Sequence, residues 1–217
     1  MTANAYSVYD DLRPYVHSVT IVHPPHVALI VRAQVKTDRK SALTLAQLHA
    51  AGLLPGVWVP PLSARDQRGL VAQRAMMVRL QTRVKNRLHA VLNRGRLRLP
   101  PGDPFEPAKR EWWMQPPLTA VERTRVECDL ETLAFVRRQI GHLDGGLTVQ
   151  ATEDDRFLYL LPLPGINPTT AMTVLGAIGD VWRLPTARQL VGNSGLGARA
   201  HDSGQMYVSG GMTCARR

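Results

Sequence analysis

Ser203, near the end of the chain, stands among residues that could support nucleophilic chemistry. It follows His201 and Asp202 and precedes Gly204. A serine hydroxyl attacks an electrophile when a neighbouring base or cation activates it. Adjacency in sequence does not establish such an arrangement, because catalytic groups are recognised by their geometry, and Ser-Gly pairs are also common in turns. The local sequence leaves two interpretations open, a nucleophile and a turn residue.

Positive charge is concentrated in one part of the chain. The formal net charge is +10, and residues 61–110 supply +9 of it, with twelve Lys and Arg against three acidic residues. Such an excess indicates a polyanionic partner, because neighbouring like charges repel unless an anion screens them. The alternative is the solvated face of a helix. The candidate DNA- or RNA-binding residues of this segment are Arg68, Arg74, Arg79, Arg83, Lys85 and Arg87.

Two long amphipathic helices are predicted to carry this charge. Apolar residues recur at spacings of three, four and seven within residues 62–96 and again within residues 119–143. Thr119 and Glu122 have the spacing of a capping box at the start of the second helix. We expect the two helices to pack antiparallel as a coiled-coil hairpin over residues 61–150.

A Pro-Gly turn separates two further helices near the C-terminus. The stretch "LLPLPGINPTTAMTVLGAIG" runs from one apolar helix end through Gly165 and Asn167 into a second helix. This pattern is typical of a helix–hairpin–helix, whose glycine turn and helix start present N–H donors to a phosphate oxygen. The alternative is an ordinary two-helix turn. Residues 186–217 are predicted to form a short helix and a Gly/Ser-rich tail.

The first 60 residues are predicted to form part of a layered α/β domain. "SVTIV" at 18–22 and "GVWVPP" at 56–61 have the composition of short strands. A helix is expected between them, capped by Thr37 or Asp38 and ended by Gly52. The prolines between His23 and His26 are expected to prevent a helix there, which makes a loop a better interpretation than a metal site.

Three smaller features limit the class of protein. Two cysteines without C-x-x-C spacing indicate reduced thiols in a cytosolic protein. No apolar run is long enough for a membrane span, and the N-terminus does not resemble a signal peptide. The pair Trp112-Trp113 is expected to anchor a loop on the helices; the alternative is stacking on nucleic-acid bases.

Four stretches in this order resemble the transposases of the insertion sequence 110 family (the 110/116/902 group). They are "VKTDRKSALTLAQLHAAGLLPGVWVPP", "RDQRGLVAQRAMMVRLQTRVKNRLHAVL", "LLPLPGINPTTAMTVLGAIGDVWRL" and "LVGNSGLGARAHDSG". The resemblance implies a RuvC-like domain with four acidic metal ligands, a coiled-coil insertion and a C-terminal domain with a nucleophilic serine. It also implies a bacterial DNA recombinase that works with a structured guide RNA and assembles as a dimer or tetramer.

The resemblance assigns roles to individual residues. The family motif K-T-D-x-x-D-A falls on residues 36–42, where Asp38 matches the first aspartate and Ser41 replaces the second. The other two acidic ligands would lie upstream of Met1, so an incomplete Mg²⁺ site is expected at Asp38. Ser203 matches the nucleophile, with Arg199 as a nearby cation. The pattern would also continue past the last residue, which suggests truncation at both ends.

Together these observations predict an α+β, mostly α-helical chain of three parts. They are a partial RuvC-like domain at 1–60, a basic helical hairpin at 61–150, and a helical domain at 151–217 with the helix–hairpin–helix and the serine motif. The predicted function is DNA transposition of the serine type, by a degenerate fragment located in the bacterial cytoplasm. The alternative is a non-enzymatic, sequence-tolerant DNA- or RNA-binding protein.

Overall fold

The computed structural model describes residues 4–30, 37–194, 198–203 and 206–212. The chain divides into two compact units, residues 1–61 and 62–217. The described residues are mostly helical, as the sequence predicted for the chain as a whole. None of the described helices is long and apolar enough to cross a membrane.

The described part of the first unit contains three α-helices. They are α1 (Ala5–Leu12), α2 (Pro24–Ile30) and α3 (Asp38–Ala50). Thr37 caps α3, because its side chain accepts the N–H of Lys40 at 3.3 Å. Gly52 follows the helix with a φ of +68°, a left-handed conformation that glycine adopts without strain. Both the cap and the stop agree with the sequence prediction.

The two strands predicted in the first unit are wrong. Only an isolated bridge joins Val22 to Gly56, supported by a 2.7 Å hydrogen bond from the N–H of Val57 to the carbonyl of Ile21. A β-branched run becomes a strand only where a partner strand continues the ladder. Pro24 lies just after the first segment and Pro60 at the end of the second, and neither proline has an N–H to extend the pairing. The described part of this unit therefore contains no sheet.

The prediction that prolines exclude a helix between His23 and His26 is also wrong. Helix α2 begins at Pro24 itself. Proline fits the first turn of a helix, because the N–H that it lacks would have no intrahelical partner there. The two imidazole rings lie 5.0 Å apart in an edge-on arrangement.

An antiparallel pair of long helices forms the body of the second unit. Helices α4 (Leu62–Gly95) and α6 (Ala120–Thr152) pack along their lengths. Their direction follows from two ion pairs, Arg74 with Asp144 and Arg87 with Asp129, because the partner's number falls as the number along α4 rises. Thr119 and Glu122 form the predicted capping box at the start of α6.

The apolar stripes of the two helices meet in a buried core. At one end of the pair the core also takes in the loop between the helices, through Phe105 and Trp113, and the indole N–H of Trp113 donates to the carbonyl of Pro104 at 2.8 Å. Trp113 thus anchors the loop, as expected. The buried members of this cluster are Val84, Leu88, Val91, Leu92, Phe105, Trp113, Val126, Leu130 and Leu133.

A second core holds two shorter helices against the other end of the pair. Helices α7 (Arg156–Leu160) and α8 (Pro168–Ile178) follow α6. The loop between α4 and α6 carries the short helix α5 (Arg110–Met114). The buried members of this second cluster are Leu147, Ala151, Phe157, Ala171, Met172 and Leu175. Gln67 of α4 is buried beside them, and its amide N–H donates to the carbonyl of Met172 at 2.7 Å.

The end of the chain differs from the predicted Gly/Ser-rich tail. After the expected short helix, α9 (Ala187–Ser194), strands β1 (Ala198–Ser203) and β2 (Met206–Met212) pair antiparallel. The segment is rich in glycine and serine, so its composition predicts a loop. It also contains residues that favour strands, among them Tyr207 and Val208. The C-terminal part is therefore not purely helical.

Candidate functional site

Ser203 is the last residue of β1, where the hairpin reverses. Its backbone pairs with Met206, and the preceding pairs are Asp202 with Tyr207 and His201 with Val208. Residues 204 and 205 between the strands, and the side chains of Ser203 and Arg199, lie outside the described residues. The backbone thus places the serine at the end of a strand, and its activation by a base or a cation stays a prediction.

Asp38 is the first residue of α3, and its side chain is exposed. Ser41 lies three residues further along the same helix, and it is exposed as well. Among the residues that the structure describes, no three His, Cys, Asp or Glu side chains come together as a metal site would require. One carboxylate and a hydroxyl do not fit the octahedral oxygen set that Mg²⁺ prefers.

The turn between α7 and α8 caps its own second helix. Gly165 has a φ of +81°, and Asn167 accepts both the N–H and the hydroxyl of Thr170, at 2.8 and 3.0 Å. Pro168, the first helical residue, has no N–H to offer. The start of α8 therefore offers fewer free donors to a phosphate than its sequence suggested, and phosphate contact by Gly165 and Asn167 stays a prediction.

Two of the candidate arginines on α4 are paired with carboxylates of α6. Arg74 donates to Asp144 at 2.7 Å, and Arg87 donates to Asp129 at 2.5 Å. The hydrogen bond from Arg74, helped by that from the Thr169 hydroxyl at 2.9 Å, lowers the pKa of Asp144 against the opposing effect of burial. Each pair joins the two long helices, and part of the positive charge of Arg74 and Arg87 is neutralised within the chain.

A third candidate, Arg68, belongs to a group of three arginines at the C-terminal end of α8. Its guanidinium donates to the carbonyls of Gly176 and Ala177, at 2.5 and 3.1 Å. Arg156 donates to the carbonyl of Gly179 at 2.7 Å, and Arg183 to that of Ile178 at 2.9 Å. The last carbonyls of a helix lack intrahelical partners and carry the negative end of its dipole, so cations stabilise them.

Sequence reasoning missed this cluster because its contacts join distant parts of the chain. Arg68 lies 108 residues before Gly176. The one local signal is Gly179 just after the apolar run, which marks the helix end that needs donors. A pattern of charges along one helix cannot reveal which arginines meet another helix end.

Two of the remaining candidates are solvent-facing. Arg79 and Arg83 are exposed, and among the described residues neither has a hydrogen-bond or ion-pair partner. Lys85 is half-buried, with its ammonium 5.1 Å from the centre of the Phe105 ring, in a cation–π contact. The structure thus separates the predicted set into cations with intramolecular roles and cations open to a partner.

Comparison with known proteins identifies the C-terminal part of the chain. Residues 158–217 match the model of the "Transposase IS116/IS110/IS902 family". This segment includes the turn at Gly165, helix α8 and the hairpin whose first strand ends at Ser203. The matched family is the one that the sequence resembles.

Three curated proteins are similar to nearly the whole chain. The "Putative transposase y4qE" of Sinorhizobium fredii is 26% identical over 97% of this chain and 52% of its own length. The "Transposase for insertion sequence element IS1111A" of Coxiella burnetii is 24% identical over 89% of this chain and 54% of its own. The "Probable family 20 transposase" of Pseudomonas aeruginosa is 25% identical over 94% of this chain and 61% of its own. The chain therefore spans little more than half the length of these relatives.

Proposed function

We propose that this transposase-family chain acts in DNA transposition and that Ser203 is its nucleophile. The observation that carries the proposal is the family match over residues 158–217, which includes Ser203. Ser203 is the last residue of strand β1, and residues at the ends of elements often carry function, which supports the proposal. The basic segment before it supports a nucleic-acid substrate.

The proposed step is a transesterification at phosphorus. The Oγ of Ser203 attacks a DNA phosphodiester and forms a phosphoserine bond, while the bond from phosphorus to one deoxyribose oxygen breaks. The proton of the serine hydroxyl ends on the released sugar hydroxyl, so atoms and charges balance. A hydroxyl of a second strand then reverses the step, which conserves the ester bond for rejoining. Cations that screen the phosphate lower the barrier, and Arg199 is the proposed residue in the neighbouring sequence.

The same proposal covers the organisation of the chain. Residues 1–60 would correspond to part of a RuvC-like domain, residues 61–150 to a coiled coil, and residues 151–217 to a domain with a helix–hairpin–helix and the serine motif. Further partners follow from the family resemblance: a structured guide RNA and additional copies of the chain, in the bacterial cytoplasm. Mg²⁺ would be supplied at Asp38 only if residues beyond those described complete its ligands.

A covalent adduct between the chain and DNA tests the serine step. The purified chain is incubated with a radiolabelled supercoiled plasmid that carries its gene and the flanking DNA, together with RNA transcribed from that plasmid. Denaturing electrophoresis is used to detect labelled protein. The expected result is an adduct that Ser203→Ala abolishes and that Ser209→Ala, a serine of β2, leaves in place. An adduct that survives Ser203→Ala would contradict the assignment of the nucleophile.

The second candidate function is sequence-tolerant nucleic-acid binding without catalysis. It is favoured by the exposed Asp38, which belongs to no group of three or more His, Cys, Asp or Glu side chains among the described residues. In this case the chain binds DNA with strong dependence on salt, no adduct forms, and Ser203→Ala leaves the affinity unchanged. The two measurements together separate the candidates.

A further inference from the structure

One segment, from Gln67 of α4 to Gly102 of the loop after it, carries positive charge without any acidic residue. Residues 67–102 contain nine Lys and Arg and not one Asp or Glu. The contacts already described engage four of these cations within the chain, namely Arg68, Arg74, Lys85 and Arg87. The other five are all exposed, and among the described residues their side chains have no hydrogen-bond or ion-pair partner; they are Arg79, Arg83, Arg94, Arg96 and Arg98.

Three of these five arginines lie on one face of α4. Arg83 follows Arg79 by four residues, and Arg94 follows Arg83 by eleven. At 3.6 residues per turn, these spacings keep the three within about 60° of one another around the helix axis. The adjoining face carries Val84, Leu88 and Val91, which are buried against α6. The row of arginines is exposed beside this packed face, along about 22 Å of helix.

The other two arginines follow the row in sequence, just after the end of the helix. α4 ends at Gly95, and Arg96 then adopts a left-handed φ of +48° that turns the chain out of the helix. Arg96 and Arg98 follow directly in the loop. Together, these five exposed arginines form the arginine ridge: Arg79, Arg83, Arg94, Arg96 and Arg98. Between its members on α4, Ala90 is a short side chain that allows a backbone to approach.

We infer that the arginine ridge binds the phosphate backbone of duplex DNA, and that Arg68, Arg74 and Arg87 stabilise the helix packing instead. Duplex DNA carries about one charge per 1.7 Å of its axis, so the length of the ridge matches on the order of a dozen phosphates. A single exposed helix face can follow the wide major groove of B-form DNA, whereas the major groove of A-form RNA is too narrow to admit one. This inference deepens the proposed function and rests on its nucleic-acid substrate.

The salt dependence of binding tests the inference. The variant Arg79→Gln/Arg83→Gln/Arg94→Gln is compared with the wild-type chain by fluorescence anisotropy on a duplex of random sequence, between about 50 and 200 mM salt. Each lost phosphate contact lowers the slope of log K against log salt by about one, so the expected loss is about three. The arginines stay exposed in the free chain, so the melting temperature of the variant should match that of the wild type.

A second triple variant controls for the loss of net charge. Arg13→Gln/Arg39→Gln/Arg188→Gln removes three other exposed arginines and gives the same net charge. Among the described residues, these three also have no hydrogen-bond or ion-pair partner. The expected change in slope is below about one. Equal losses in the two variants, or none in the ridge variant, would overturn the inference, as would binding of duplex RNA in preference to duplex DNA.

The outcome is independent of the serine step. A chain that forms no covalent adduct but loses affinity in the ridge variant would sustain the inference and contradict Ser203 as nucleophile. If the chain forms the adduct while the ridge variant binds DNA as the wild type does, the serine step would be supported and the inference about the arginine ridge would be contradicted.

Discussion

Asp144 is the residue at which three helices of the second unit meet. Its carboxylate lies on α6, accepts the guanidinium of Arg74 from α4, and accepts the hydroxyl of Thr169 from α8. Its side chain is 36% exposed, so solvent screens the ion pair in part. The contact nevertheless fixes the start of α8 relative to the long helices, because two different helices donate to one group.

Replacing Asp144 by Asn tests this junction through its pH dependence. The pKa of Asp144 is lowered in the folded chain, so its charged form stabilises the fold above the unfolded pKa of about 3.9, and this contribution is lost as the pH falls through the lower folded value. We expect Asp144→Asn to reduce the free energy of unfolding at pH 7 by about 1 kcal/mol. Urea unfolding at several pH values should show the gap between variant and wild type closing below about pH 4.

Asp155 provides a matched control for this substitution. It is exposed, and among the described residues its side chain has no hydrogen-bond or ion-pair partner. Asp155→Asn should leave the free energy of unfolding within about 0.5 kcal/mol of the wild type at every pH. A constant gap for Asp144→Asn across the pH range would show that shape, not charge, is what this position contributes.

At the scale of elements, periodicity predicted the helices better than composition predicted the strands. The helix boundaries at Thr119 and Gly52 and the buried stripe through Val126, Leu130 and Leu133 follow from local spacing, which a helix satisfies within its own segment. A strand depends on a partner elsewhere in the chain, and so "SVTIV" could not become one without it.

The candidate site was predictable only in part, for the same physical reason. The sequence located the basic segment, but it could not separate Arg74 and Arg87, which meet carboxylates of α6, from Arg79 and Arg83, which face solvent. The carboxylate partner of Arg74 lies 70 residues away along the chain, and that of Arg87 lies 42 residues away. Pairing across such separations depends on which helix faces meet, and no local pattern records it.

The turn before α8 offers a test of backbone conformation alone. An added methyl group at Gly165 would meet no atom within 4 Å, so steric crowding is absent, but the φ of +81° strains any other residue. Gly165→Ala should therefore lower the free energy of unfolding by about 1–2 kcal/mol. Gly146, inside α6, also has open space around it, and Gly146→Ala should raise stability by up to about 1 kcal/mol. Opposite signs in thermal unfolding are the expected result; two changes of the same sign would contradict the backbone assignment.

At the scale of the whole molecule, the two hydrophobic clusters are formed by one of the two units. Every buried residue of both clusters lies between Val84 and Leu175, within residues 62–217. In the described part of residues 1–61, Pro60 alone is buried. Because apolar burial is the main favourable contribution to folding, the second unit carries most of the stability that the described residues provide.

Deleting residues 1–61 tests this distribution. The chain 62–217 should keep its helical circular dichroism and unfold cooperatively in urea, with a free energy of unfolding within about 2 kcal/mol of the full chain, because both clusters remain intact. In the same shortened chain, Val84→Ala should cost about 1–3 kcal/mol, since Val84 is fully buried between the long helices. Val121→Ala, at a position of α6 that is 70% exposed, should cost less than about 0.5 kcal/mol. A shortened chain that has lost its helical signal, or that unfolds without a transition, would show that the first unit contributes contacts on which the helix pair depends.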